Sequence, residues 1–84
     1  MMIKVIVLLN NQILISQIDE VTSELGEPDC KLVEPFLFNK SDLTLSPWLI
    51  DCTTQNQYMI SSDKILTLAD PTPTLLEKYQ SLIK

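Results

Sequence analysis

All the basic side chains of this 84-residue chain are lysines: Lys4, Lys31, Lys40, Lys64, Lys78 and Lys84. There is no arginine and no histidine. Without Arg there is no planar fork to grip a phosphate or a guanine edge, and without His no side chain that titrates near neutrality. Eleven carboxylates give a net charge of −5, which repels a polyanion at long range. Asp51 and Asp63 are the only carboxylates near strand or turn positions where a site could form. Acid–base or phosphoryl chemistry needs more groups than these two. In the Ser61-Ser62-Asp63-Lys64 turn, the Asp63 carboxylate is expected to cap backbone N–H groups instead. The expectation is a chain that is not an enzyme, with no catalytic residue, no metal site and no cofactor.

Two further groupings could have carried chemistry. Asp19, Glu20, Glu24, Glu27 and Asp29 crowd into eleven residues, but without the alternating ligands and fixed glycine of a calcium loop. They read as a solvated acidic loop. Cys30 and Cys52 form no CxxC pair and have no His to activate them. They read as reduced, mostly buried thiols, with a disulfide as the alternative if adjacent strands bring them face to face.

The elements that would position these residues are mostly strands. Ile3–Leu9 is a β-branched and aliphatic run broken only by Lys4, followed by Asn10-Asn11 and a second such run over about Gln12–Val21. Asn tolerates the positive φ that a tight hairpin requires, so the two runs predict a β-hairpin. The first strand is apolar on both faces, as in a central strand or one covered by another element or subunit. Cys30–Phe38 predicts a third strand, with Pro35 marking an edge or a bend because it cannot donate to a ladder. Asn39–Pro47 reads as an irregular connection, Trp48–Cys52 as the next strand, and Tyr58–Ile60 as resumed β structure. Ile65–Ala69 is the last strand, stopped by Asp70-Pro71-Thr72-Pro73. A helix is predicted over about 73–83, with Thr74 and Glu77 as a capping box and Leu75, Leu76, Tyr79, Leu82 and Ile83 on its apolar side. So short a helix cannot stand alone in water. It must plug an open end of a barrel or lie across a neighbouring subunit.

The length allows one domain over 1–84, and 45% apolar with 20% charged residues belongs to a folded chain. No apolar run approaches the roughly 18 residues that cross a membrane. Met1-Met2-Ile3-Lys4 is no secretory signal, so a cytoplasmic location is expected.

The order of these parts resembles the Sm-like (Sm/Hfq-type) family. Lys4–Ile18 resembles the opening of its first motif, a strand, an Asn-containing turn and a bent second strand. Cys30-Lys31-Leu32-Val33-Glu34 resembles the third strand, where the family usually has Met-Asn-Leu-Val-Leu. Ile60-Ser61-Ser62-Asp63-Lys64-Ile65 resembles the second motif, usually Ile-Arg-Gly-Asp-Asn-Ile. The resemblance spans most of residues 3–69. It implies a small five-stranded, strongly bent antiparallel barrel over about 3–69 with a C-terminal α-helix. It also implies a homo-oligomeric ring, in which the fourth strand of one copy, about Trp48–Ile60, pairs with the fifth of the next, about Ile65–Ala69.

The resemblance further implies an RNA-binding pore at the matching positions. These are Lys31 for the family's Asn, Ser61 for its Arg and Ser62 for its Gly, with Lys64 beside them and an exposed aromatic such as Tyr58 to stack a base. The basic group that would read a base is thus replaced by a serine. Family members usually carry their helix before the barrel. A compact, acidic chain with its helix at the far end is similar to the small Sm-like proteins of marine cyanophages, whose setting would be the host cytoplasm. The function expected from the whole is a non-enzymatic ring serving as an assembly or adaptor module, with RNA binding at the pore as the alternative.

Overall fold

The first two strands form the hairpin that their sequence predicts. β1 (Met2–Leu8) and β2 (Ile13–Glu20) run antiparallel, with Val5 opposite Ile15 and Val7 opposite Ile13. The Asn11 N–H donates to the Leu8 carbonyl, and the Leu8 N–H to the Gln12 carbonyl, both at 2.9 Å. Asn11 takes the left-handed conformation, φ 70°, that closes a three-residue hairpin loop. The Asn10 side chain accepts from the Gln12 N–H at 3.0 Å and holds the turn from outside. This computed structural model describes residues 2–83.

The remaining elements are β3 (Cys30–Asn39), β4 (Thr44–Pro47), β5 (Gln57–Ile60), a 3₁₀ turn over Ser62–Lys64, β6 (Ile65–Ala69) and α1 (Pro73–Leu82). All six strands belong to one antiparallel sheet in the order β4-β3-β2-β1-β6, with β5 also paired to β3. The protein is mainly β with one C-terminal helix. The strand count departs from the expected five. The fourth-strand region is split, β5 lying against Cys30–Val33 and β4 against Phe36–Asn39.

The split falls at Glu34-Pro35. Between the pairs Gln17/Val33 and Ile15/Phe36, β2 has one residue, Ser16, and β3 has two. The extra residue makes a β-bulge, and a bulge bends the strand that carries it. Glu34 adopts φ 53° there, and Pro35 supplies no N–H that the broken ladder would leave idle. A second bulge sets Leu66 apart, between the pairs Val7/Thr67 and Leu8/Ile65.

Two local expectations are corrected. Trp48–Cys52 is a turn and Thr44–Pro47 a strand, the reverse of the sequence reading. Leu43, at φ 58°, ends a tight turn in which the Asp42 carboxylate accepts from the Thr44 N–H and hydroxyl, so β4 begins early. Leu49, at φ 59°, turns the chain after Pro47, and its carbonyl collects the N–H groups of Cys52 and Thr53. The helix begins at Pro73 with Thr72 as its cap, so Thr74 and Glu77 form no capping box. The residue before a proline is held extended, which is the conformation a cap needs, and Pro suits the first helical position.

One face of the sheet holds the main core. Ile6, Leu8, Leu14, Ile18, Cys30 and Leu32 are buried together, with Leu37, Trp48, Ile60 and Ile65 packed around them. Fully burying one such side chain stabilises the fold by about 1.5–3 kcal/mol. α1 docks at the β2–β3 bulge, where its Tyr79 ring meets Phe36 edge to face at 5.7 Å. Tyr79 is the helix's buried residue, whereas Leu82, expected on the same side, is exposed.

Candidate functional site

The pairing of β3 with β5 decides where the four sequence-predicted site residues lie. Lys31 stands opposite Met59, and Cys30 opposite Ile60, so Ser61 and Ser62 follow directly at the end of the same ribbon. The Asp29 carboxylate closes this corner. It accepts from the Ser62 N–H and from the Ser62 hydroxyl, both at 2.7 Å. These hydrogen bonds hold the Asp29 carboxyl below the usual carboxylate range. Asp63, expected to cap this turn, is exposed, and Asp29, just before the neighbouring β3, accepts from the Ser62 N–H instead.

The four residues approach one another in the chain path but do not line one cavity. Lys31 is half-buried on a shallow hollow of about 430 Å³ with Gln55, Asn56, Gln57, Tyr58 and Met59. Ser61 and Ser62 border a smaller one of about 140 Å³ with Gly26, Glu27, Asp29 and Asp63. Lys64 points its chain elsewhere: it borders Leu8, Leu9, Asn10 and Ile60, and its carbonyl accepts from the Leu9 N–H at 3.0 Å. The serine corner is therefore surrounded by three carboxylates. A phosphate there meets repulsion, and only Lys31 among the four offers a cation to the amide-rich hollow.

Tyr58 and Trp48 pack on each other edge to face at 5.7 Å, and the Tyr58 hydroxyl donates to the Gln55 carbonyl at 2.6 Å. Both are half-buried structural side chains in this arrangement. Cys30 is buried and burial pushes its thiol up, beyond the ordinary thiol range. Cys52 is exposed, contrary to the expectation of two mostly buried thiols, and the two are not bonded. Among the described residues, no group of three Cys, Asp or Glu side chains is placed to hold a metal ion. No described helix is long and apolar enough to cross a membrane.

The sheet's two outer edges are the other feature of note. β6 pairs with β1 on one side only, β4 and β5 each pair with β3 on one side only, and no ladder joins β5 to β6 among the described residues. Met59 on β5 is 50% exposed, and Leu66 and Leu68 on β6 are 60% and 50% exposed. An open, mostly apolar cleft of about 370 Å³ beside the β6 edge is lined by Met2, Ile18, Cys30, Ile65, Leu66 and Leu68, with Lys4, Glu20, Ser62 and Thr67 on its polar side.

A family model described as a family of unknown function (DUF6561) matches residues 1–84. The chain belongs to this family. None of the curated proteins matches it.

For this DUF6561 member, reading the sequence alone missed the two side chains that organise the corner and the bend. Asp29 reads in the sequence as part of a solvated acidic loop, although its partner lies 33 residues away. Tyr79 reads as one of a helix's apolar residues, although its hydroxyl reaches the β2–β3 bulge. One signal was present: a tyrosine among buried positions needs a hydrogen-bond partner, and a proline inside a strand frees one.

Proposed function

We propose that this protein is a non-enzymatic Sm-like module that closes its bent sheet by pairing with further copies of itself into a homo-oligomeric ring, and that it serves as an assembly or adaptor module. The observation that carries this reading is the pair of bare edges. β5 (Gln-Tyr-Met-Ile) and β6 (Ile-Leu-Thr-Leu-Ala) contain no charge and no proline. Proteins that leave an edge strand in water usually protect it with such residues, because its free N–H and C=O groups otherwise recruit another strand. Here apolar side chains flank both edges, and pairing β5 of one copy with β6 of the next covers them. The bent β2–β3 ribbon and the Ile-x-x-Asp-x-Ile stretch at Ile60–Ile65 support the Sm-like assignment.

RNA binding at the pore is the weaker reading. Glu27, Asp29 and Asp63 surround the serines that stand where the family has Arg and Gly, while Lys31 lies on a separate hollow. Light scattering of the purified chain tests the leading reading: a closed ring gives a discrete multiple of the 9.6 kDa chain mass. A monomer at micromolar concentration overturns it. Low-salt titration with oligo(U) and oligo(A) tests the alternative, since counterion release favours association most under those conditions. No binding at high micromolar protein removes RNA as the primary ligand.

A further inference from the structure

The β2–β3 bulge leaves backbone groups without ladder partners, and a side chain from the far end of the chain supplies them. The Tyr79 hydroxyl donates to the Glu34 carbonyl at 2.8 Å and accepts from the Gln17 N–H at 3.3 Å, with the Val33 carbonyl also 3.3 Å away. The buried Ser16 hydroxyl serves the same break from β2, lying 2.8 Å from the Gln17 carbonyl and 3.1 Å from that of Val33. Tyr79 has no exposed surface, and its ring is braced by Phe36. Outside the bulge the helix has few ties to the sheet: the Lys78 ammonium donates to the Leu43 carbonyl at 2.9 Å, and Leu75 and Leu76 are only half-buried.

The position of this contact matters because of what lies on either side of it. The arm of β3 before Glu34 carries β5, one of the two bare edges, and the arm after Pro35 carries β4. Whatever fixes the angle at Glu34-Pro35 also fixes where β5 stands relative to β6 across the curled sheet. A bulge alone is a soft joint, since its ladder is interrupted. A helix of ten residues is marginal by itself and docks or undocks as a unit.

We propose that α1 is a strap whose Tyr79 hydroxyl locks the bend of the β2–β3 ribbon and thereby sets the geometry of the β5 edge for self-assembly. The inference rests on the edge-pairing reading for its consequence, but the lock itself operates within one chain. Docking of the helix and competence for assembly are then one equilibrium: when the helix leaves, the bend relaxes and the edges fall out of register with those of the next copy.

The test compares the wild type with Tyr79→Phe, which keeps the ring and removes only the hydroxyl. Ile6→Val, a mild change in the core on β1 that touches no hydrogen bond of the bulge, serves as control. Site-resolved amide exchange is the first readout and subunit association the second. In Tyr79→Phe the Gln17 amide and the β5 amides exchange at least tenfold faster than in the wild type, and association weakens about tenfold. Ile6→Val leaves association within twofold. Wild-type exchange at Gln17 in Tyr79→Phe overturns the lock. Faster exchange at Gln17 with β5 unchanged overturns its transmission to the edge. Should the wild type prove monomeric, the ring reading falls while the exchange data still decide the strap.

Discussion

The bulge at Glu34-Pro35 and the outer strands β5 and β6 pose the same physical problem and solve it differently. Each breaks the regular ladder and leaves backbone donors and acceptors without a strand partner. At the bulge the Gln17 N–H and the Gln17, Val33 and Glu34 carbonyls find partners inside the chain, from Tyr79 and Ser16, and no described buried side-chain polar atom is left unpaired. At the β5 and β6 edges no ladder among the described residues supplies one, and on β5 the Gln55 side chain donates to the Gln57 carbonyl at 2.7 Å. A buried hydrogen-bonding group left unpaired costs about 1–3 kcal/mol, so the inner break must be sealed for the chain to fold. The outer breaks are tolerable in water, and the proposed pairing with another copy would cover them.

Replacing Tyr79 with Ala removes both the seal and the ring packing, and breaks the first half of this contrast most severely. A loss of about 3–5 kcal/mol is expected, the scale of deleting a buried aromatic, and chemical denaturation reads it directly. Tyr79→Phe sharpens it, because only the hydroxyl goes: about 1–3 kcal/mol, with the fold retained by circular dichroism. Burial pushes the Tyr79 hydroxyl's ionisation up, above the ordinary value of about 10. A raised value means the folded state holds its proton longer. This contribution is complete below pH ~10 and is lost as pH rises further, so the melting temperature falls in strong alkali. The part of that fall due to Tyr79 is absent in Tyr79→Phe.

The first half of the contrast was only partly legible in the sequence. β1, β6 and the extent of the helix followed from residue pattern, because apolar runs and helical spacing are local properties. Pro35 marked the bend correctly. Thr44–Pro47 and Trp48–Cys52 exchanged roles because left-handed Leu43 and Leu49 decide where the chain turns, and leucine gives no warning of that conformation. Thr72 rather than Thr74 capped the helix because Pro73 set the start. The clamps made by Asp29 and Tyr79 join residues 33 and 45 apart, a relation that no window of sequence contains.

The smallest expected effect concerns the corner between the two regions. The Asp29 carboxyl is held low by its two hydrogen bonds from Ser62, the hydroxyl's first. A lowered value contributes stability above the ordinary carboxylate range of about 3.9, and that contribution is lost as pH falls through the folded-state value. Thermal melts of wild type and Asp29→Asn between pH 7 and pH 2 are expected to converge at the acid end, with the variant lacking this portion of the acid-induced loss. Equal slopes in the two proteins contradict a role for the clamp.

The second half of the contrast is tested most directly by sedimentation velocity on the wild type beside the double variant Leu66→Lys, Leu68→Lys. Both positions are exposed in the single chain, so the variant is expected to keep its fold, as circular dichroism will show. Lysine on an edge strand opposes pairing with a second strand. The account predicts a discrete ring for the wild type and a 9.6 kDa monomer for the folded variant. Two proteins sedimenting alike, whether both as monomers or both as rings, would contradict the claim that the bare edges carry the assembly.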